Sequence, residues 1–193
     1  MEDLLRFLPN FPFGTPSFSY GNEKEMEKAN MTKPVVISHY IPGAVGWITA
    51  MHGEYYSRYW NFGLFFETKV ATELSALLTH KQAERNGFWL ALCNDIIAGS
   101  IAIDGNQKDQ QEARLRFFIV SPEFQGHNIG NMLMEKAITF CKEKKFAKVY
   151  LSTFAGLDAA RHLYEKWGFI LIEEKEDCTW GVAVKEQIFE LVF

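Results

Sequence analysis

The segment Val120-Ser121-Pro122-Glu123-Phe124-Gln125-Gly126-His127-Asn128-Ile129-Gly130-Asn131 carries the clearest chemical signal in the chain. An apolar run ends at Val120, a tight loop follows, and helical spacing begins at Ile129. A strand that passes through such a loop into a helix leaves several backbone N–H groups pointing outward, and the helix N-terminus adds partial positive charge. Together they form a cradle for a pyrophosphate. Gly126 permits unusual dihedrals and close approach of a ligand, and Gly130 falls in the first helical turn, where a side chain would stand between backbone and ligand. An ordinary strand-to-helix connection that needs one glycine accounts for the same residues. Rival phosphate motifs fit less well. A P-loop needs Lys-Ser/Thr after its last glycine, but Asn131 follows Gly130, and no G-x-G-x-x-G is present.

Other residue types could serve group transfer. Tyr164 stands at helical spacing from Ala160 and Trp167, so it reads equally as a packed aromatic. Residues 47–66 hold Trp47, Tyr55, Tyr56, Tyr59, Trp60, Phe62, Phe65 and Phe66, more than one helix face buries. About half of them are accounted for as core. The surplus, with His52 and Glu67 nearby, suggests a pocket for a small, partly apolar molecule. Arg114 and Arg116 alternate on a strand toward solvent or that cleft, and Arg116 to Val120 includes no carboxylate.

The elements that would position these groups follow from periodicity. Val35-Val36-Ile37 suits a strand. A helix from Gly43 to about Arg58 would carry Trp47, Met51 and Tyr55 on one face, and Phe62, Phe66, Val70, Leu74 and Leu77 mark a second helix. Residues 88–93 and 96–103 read as a hairpin across Asn94-Asp95. A strand over 112–120 precedes a helix from Ile129 to about Lys144, with Ile129, Leu133, Ala137 and Phe140 inward. A strand over 147–153 leads to a short helix that Asp158 would cap and Gly168 end. Strands near 169–176 and 186–192 complete the mixed α/β order β-α-α-β-β-β-α-β-α-β-β.

The 193 residues suit one domain at ~150 residues per domain. Hydrophobic residues make up 48% and charged residues 23%, a globular composition that excludes wholesale disorder. The net charge of −4 argues against a nucleic-acid partner. Residues 1–34 read as a separate arm, rich in Pro and Phe and lying on the domain or on a second subunit, which leaves a homodimer open; the domain proper is 35–193. Pro34 to Gly53 has no charged side chain, but its prolines, glycines and histidines disqualify it as a membrane span. Met1-Glu2-Asp3 lacks the basic flank of a secretory signal. Cys93, Cys141 and Cys178 have no metal-type spacing and fit free thiols in a cytoplasmic protein. No metal is expected.

Together, Gln125-Gly126-His127-Asn128-Ile129-Gly130 and Tyr164 to Phe169 resemble the GNAT superfamily of N-acetyltransferases, whose loop reads Q/R-x-x-G-x-G/A and whose last helix ends Tyr-x-x-x-Gly-Phe. Gly46-Trp47, His52-Gly53, Tyr55, Phe66-Glu67 and Ala159-Ala160-Arg161-His162 are similar to the acetyltransferase half of bacterial MarR–GNAT fusion proteins, without the MarR half. The resemblance implies a mostly antiparallel mixed sheet with one parallel central pair, flanked by helices. It implies acetyl-CoA as cofactor and direct transfer of acetyl to the amine of a small molecule or peptide. In that reading Phe118, Ile119 and Val120 offer backbone to the pantetheine arm, and an N–H on strand 115–120 polarises the thioester carbonyl. Gln125, Gly126, His127, Asn128, Ile129, Gly130 and Asn131 surround the pyrophosphate, and Thr153 and Ala160 flank the cofactor. Tyr164 protonates the departing thiolate. The residues themselves leave the base open among His52, Glu54, Glu67, a water chain or none; His52 could relay the acceptor's proton with Glu67 orienting the imidazole or the acceptor, and Trp47, Tyr55 and Phe66 could hold the acceptor's apolar part. Asn128 replaces a frequent family Gly, and Asn tolerates left-handed dihedrals. Phe154 and Leu157 stand near where the family often has an Asn that touches the cofactor. The competing function is a sensor or scaffold that holds acyl-CoA without turnover.

Overall fold

The computed structural model describes residues 34–81 and 83–193. The arm expected over residues 1–34 lies, apart from Pro34, outside the described residues. The elements are β1 (Val36–Ser38), α1 (Ala44–Trp60), α2 (Leu64–Leu78), β2 (Gly87–Cys93), β3 (Ile96–Asp104), β4 (Glu112–Val120), α3 (Ile129–Glu143), β5 (Lys148–Phe154), α4 (Asp158–Lys166), β6 (Ile170–Asp177) and β7 (Val184–Val192). Their order is the one the periodicity predicts.

The strands form one seven-stranded sheet in the order β1-β2-β3-β4-β5-β7-β6. Every pairing is antiparallel except β4 with β5. Helices α1 and α2 cover one face with a core that includes Ile48, Phe62, Phe66, Leu74, Leu90, Ala102 and Phe154. The apolar side of α3, with Leu133, Met134 and Ala137, is fully buried and packs against β2, β3 and β4. Each fully buried Leu or Ile contributes about 1.5–3 kcal/mol of transfer free energy.

Three local features differ from expectation or refine it. The buried stripe of α1 is Ala44, Ile48 and His52, so Trp47 turns outward at 53% exposure. The apolar face is one residue off the Trp47-Met51-Tyr55 line, because the aromatic residues of α1 exceed what the sheet can cover. At α4, Leu157 takes the N-cap position without a side-chain cap, and Asp158 is the first helical residue. Gly168 does end the helix, in the left-handed region at φ 89°. Asn94 and Asp95, at φ 49° and 67°, make the tight turn between β2 and β3.

The site depends on how β4 and β5 meet. Only Glu112, Ala113 and Arg114 of β4 pair with β5, opposite Lys148, Val149 and Tyr150. Both strands continue beyond that point without pairing to each other, so the sheet opens into a wedge. On its other edge, β4 pairs Ser100 with Ile119 but Ala102 with Arg116, which leaves one extra residue on β4. Phe117 absorbs it at φ 49°. The buried Ser100 hydroxyl donates to the Phe117 carbonyl at 2.7 Å and pins this bulge. A bulge bends its strand and re-aims the neighbouring groups, here toward the open wedge.

Candidate active site

Two cavities open from the wedge. The larger, about 740 Å³, runs along the C-terminal half of β4, the following loop and the starts of α3 and α4. The smaller, about 200 Å³, lies between α1, α2, β4 and β5. Tyr56, Phe118 and Tyr164 line both, so the cavities meet at these three side chains.

The larger cavity gathers Phe118, Ile119, Val120, Gln125, Gly126, Asn128, Ile129, Gly130, Asn131 and Ala160, with Tyr55 at its wall. Asn128 sits at the N-cap of α3 with φ 63°, so it does adopt the left-handed conformation that glycine would otherwise supply. Gly126 is left-handed at φ 81°, and a Cβ there would meet open space. Gly130 is different. A Cβ there would lie 3.1 Å from Leu163 Cδ2 and 3.5 Å from Phe118 Cζ, so this glycine lets α3 approach α4 and β4. The first turn of α3 contains no acidic residue to offset its positive end. Asn131 bridges the loop to α4: its Nδ2 donates to Asn128 Oδ1 at 2.8 Å, and its Oδ1 accepts from Lys166 Nζ at 2.9 Å and Trp167 Nε1 at 3.2 Å. The volume lies within the roughly 300–1,000 Å³ common for ligand and cofactor pockets.

Tyr164 is buried at 6% exposure, among Phe118, Phe169 and Phe189 at ring distances of 5.9–6.1 Å. Burial, reinforced by Tyr56, pushes its phenol far above the ordinary value. It therefore keeps its proton throughout the working pH range, and the same burial makes it a weaker acid than a free phenol.

The smaller cavity gathers His52, Phe66 and Thr153, so Thr153 faces this chamber and not the larger one. His52 is buried between the Tyr56 and Phe117 rings. Its Nδ1 donates to the Ile48 carbonyl at 2.8 Å, which leaves Nε2 as the acceptor. Desolvation pushes its pKa down to about 4, against the smaller upward effect of the Ile48 hydrogen bond. The imidazole is oriented by Ile48, not by Glu67. Glu67 is exposed and sits beside Gly53, where a Cβ would be 3.2 Å from its carboxyl. Trp47, Glu67 and His127 line neither cavity. His127 folds onto its own loop, with Nδ1 donating to Gln125 O at 3.0 Å.

The chamber also carries charged side chains: Lys69, Glu73, Arg114 and Arg116 line it beside the aromatic rings. Glu73 pairs with Lys69 at 2.8 Å and with Arg116, and Arg116 also approaches Asp104 at 3.6 Å. Desolvation raises the Glu73 carboxyl, but Lys69, Arg116 and Arg114 more than offset this and hold it below the usual carboxylate range. Glu73 gave no sequence signal because it reaches Arg116 from 43 positions away. The Arg114/Arg116 alternation was the visible trace of this chamber. Ser100, the anchor of the bulge, had none.

Residues 49–169 match the model of the acetyltransferase (GNAT) family. The chain belongs to this family. The GNAT chain is also similar to an N-acetylaspartate synthetase from Danio rerio, 30% identical over 106 residues; the match covers 55% of this chain but only 37% of that relative. Among solved structures, a GNAT-family acetyltransferase from Staphylococcus aureus Mu50 superposes with a TM-score of 0.67 at 19% identity, over 82% of this chain and 99% of that one. The Salmonella typhimurium protein yncA, solved with its cofactor acetyl-CoA, superposes with a TM-score of 0.66 at 13% identity, over 83% and 94%. These likenesses establish a shared GNAT fold. No helix among the described residues is long and apolar enough to cross a membrane.

Proposed function

We propose that this GNAT chain, through a domain spanning 35–193, transfers an acetyl group from acetyl-CoA directly to the amine of a small molecule that bears a carboxylate. The observation that carries the reading is the meeting of two cavities, one edged by a phosphate-type loop and one lined by arginines, at Tyr56, Phe118 and Tyr164. The name of the Danio rerio relative, an N-acetylaspartate synthetase, favours an amino-acid acceptor. The likeness to the acetyltransferase half of MarR–GNAT fusions, read from residues 46–67 and 159–162, belongs to this proposal as well.

The larger cavity suits the cofactor. Gly126 leaves its loop open, and the positive end of α3 faces that loop with no acidic residue in its first turn. Bound there, acetyl-CoA would supply an activated thioester. The backbone of Phe118, Ile119 and Val120 would hold the pantetheine arm where β4 has left β5, and an N–H of that stretch would polarise the carbonyl. Tyr164 holds a proton at its Oη beside both chambers and would give it to the departing sulfur. His52 carries its only ring proton on Nδ1 toward Ile48, so Nε2 would accept a proton from the amine. Glu67 and Trp47 fit the periphery of such a site better than its centre.

The test is release of free CoA from acetyl-CoA across a panel of amines. Release that depends on an amine with a carboxylate supports the reading. Tight acetyl-CoA binding without release for any amine refutes it in favour of a sensor or scaffold.

A further inference from the structure

The charges of the smaller chamber are unevenly partnered. Lys69 and Arg116 share Glu73, and Arg116 has Asp104 as well. Among the described residues, no carboxylate pairs with Arg114. One of its terminal nitrogens donates to Ser152 Oγ at 3.4 Å, and the guanidinium lies 5.9 Å from the Tyr150 ring centroid. Its Nε is buried with no hydrogen-bond partner. A largely buried guanidinium without a carboxylate partner costs free energy, so the chamber that Arg114 lines favours an anion. Arg114 is also the last residue of β4 paired to β5, opposite Tyr150. It stands where the wedge closes, whereas Phe118 and Tyr164 stand where the two cavities meet.

Resting on the acetyltransfer reading, we propose that Arg114 specifies the acceptor: its terminal N–H groups bind a carboxylate of an amino-acid-like acceptor, while Glu73 keeps Arg116 and Lys69 out of that role. A guanidinium matches a carboxylate with two parallel bonds, which fixes orientation as well as charge. Gripped at the closed end of the wedge, a short acceptor presents its amine toward the junction of the cavities. Among the described residues, Glu73 then leaves Arg114 as the chamber cation without a carboxylate ion pair, with Glu73 and Asp104 acting on it only at longer range. Removal of Glu73 would free Lys69 as a second, since Arg116 keeps Asp104.

The experiment compares kcat/KM for L-aspartate and its two monoamides, each lacking one carboxylate, in wild type, Arg114→Gln, Arg114→Lys and Glu73→Gln. Wild type should prefer aspartate over one of the monoamides by roughly 10²-fold, the scale for removing one partner of a buried charged pair. In Arg114→Gln that preference should fall toward one, while the melting shift given by acetyl-CoA persists and certifies the fold. Arg114→Lys, which keeps the charge but loses the fork, should fall between. Glu73→Gln should raise the preference for the dicarboxylate. An unchanged preference in both Arg114 variants overturns the proposal. If Arg114→Gln loses the melting shift, Arg114→Lys decides alone. Wild-type turnover on amines with no preference for either carboxylate refutes the Arg114 assignment and leaves acetyltransfer standing. Absence of amine-dependent turnover for every acceptor refutes acetyltransfer itself.

Discussion

His52 couples the site to the stability of the fold. The side chain is buried, and desolvation pushes its pKa from the ordinary 6.5 down to about 4. Below pH 6.5 the unfolded chain takes up a proton at this position and the folded chain does not, so stability falls as the pH drops. The stabilisation is fully present above the unfolded value and is lost through the window from 6.5 to about 4. Between pH 7 and pH 5 this one residue removes about 2 kcal/mol, from the binding difference at 1.36 kcal/mol per unit. Replacement by Phe keeps a ring against Tyr56 and Phe117 and has nothing to titrate. Urea unfolding of both proteins at pH 7 and pH 5 isolates the effect, because every other group cancels in the difference. Wild type should lose about 2 kcal/mol more than His52→Phe over that interval, equivalent to roughly 4–8 °C in melting temperature for a domain of this size. Equal losses in the two proteins would show that His52 is solvated in the folded state and would remove the argument that it is neutral at the site.

The loop, the acid and the bulge each give a sharper perturbation. Gly126→Val forces a β-branched residue into the left-handed region at φ 81°, costs about 1–2 kcal/mol, and should abolish the melting shift given by acetyl-CoA; Gly126→Asn should keep most of it. Tyr164→Phe should slow single-turnover acetyl transfer by ~10²–10⁴-fold with acetyl-CoA affinity nearly unchanged, and a wild-type rate would exclude the proton-donor role. Ser100→Ala strips the Phe117 carbonyl of its buried side-chain donor and should cost about 1–3 kcal/mol by denaturant titration.

The sequence displayed most of this architecture because each element obeys a local rule. Helix spacing from Phe66 to Leu77 and strand alternation from Ala113 to Ile119 both coincide with burial. The Asn94-Asp95 turn and the Gly168 stop follow from which residues tolerate positive φ. The strand-loop-helix turn over 120–131 was equally legible, since Gly126 and Asn128, which take its positive φ angles, stand in consecutive sequence with it. The smaller chamber was not. It is assembled from α1, α2, β4 and β5, and its polarity arises from pairings such as Arg116 with Glu73 that no spacing rule reports. Trp47 misled for a related reason: an excess of aromatics in α1 conceals which face meets the sheet until Ala44, Ile48 and His52 are seen inside. The bulge at Phe117 was hidden because it depends on its register with Ser100 across the β3–β4 ladder.

Direct transfer between the two chambers is tested most directly by a single-turnover reaction with acetyl-CoA labelled in its acetyl group, excess enzyme and L-aspartate. The product is identified by mass spectrometry. The account predicts that the label appears on the aspartate nitrogen in step with release of free CoA, and that Tyr164→Phe slows both together. Label found only as free acetate, or retained on CoA while the enzyme is saturated with both ligands, would contradict it.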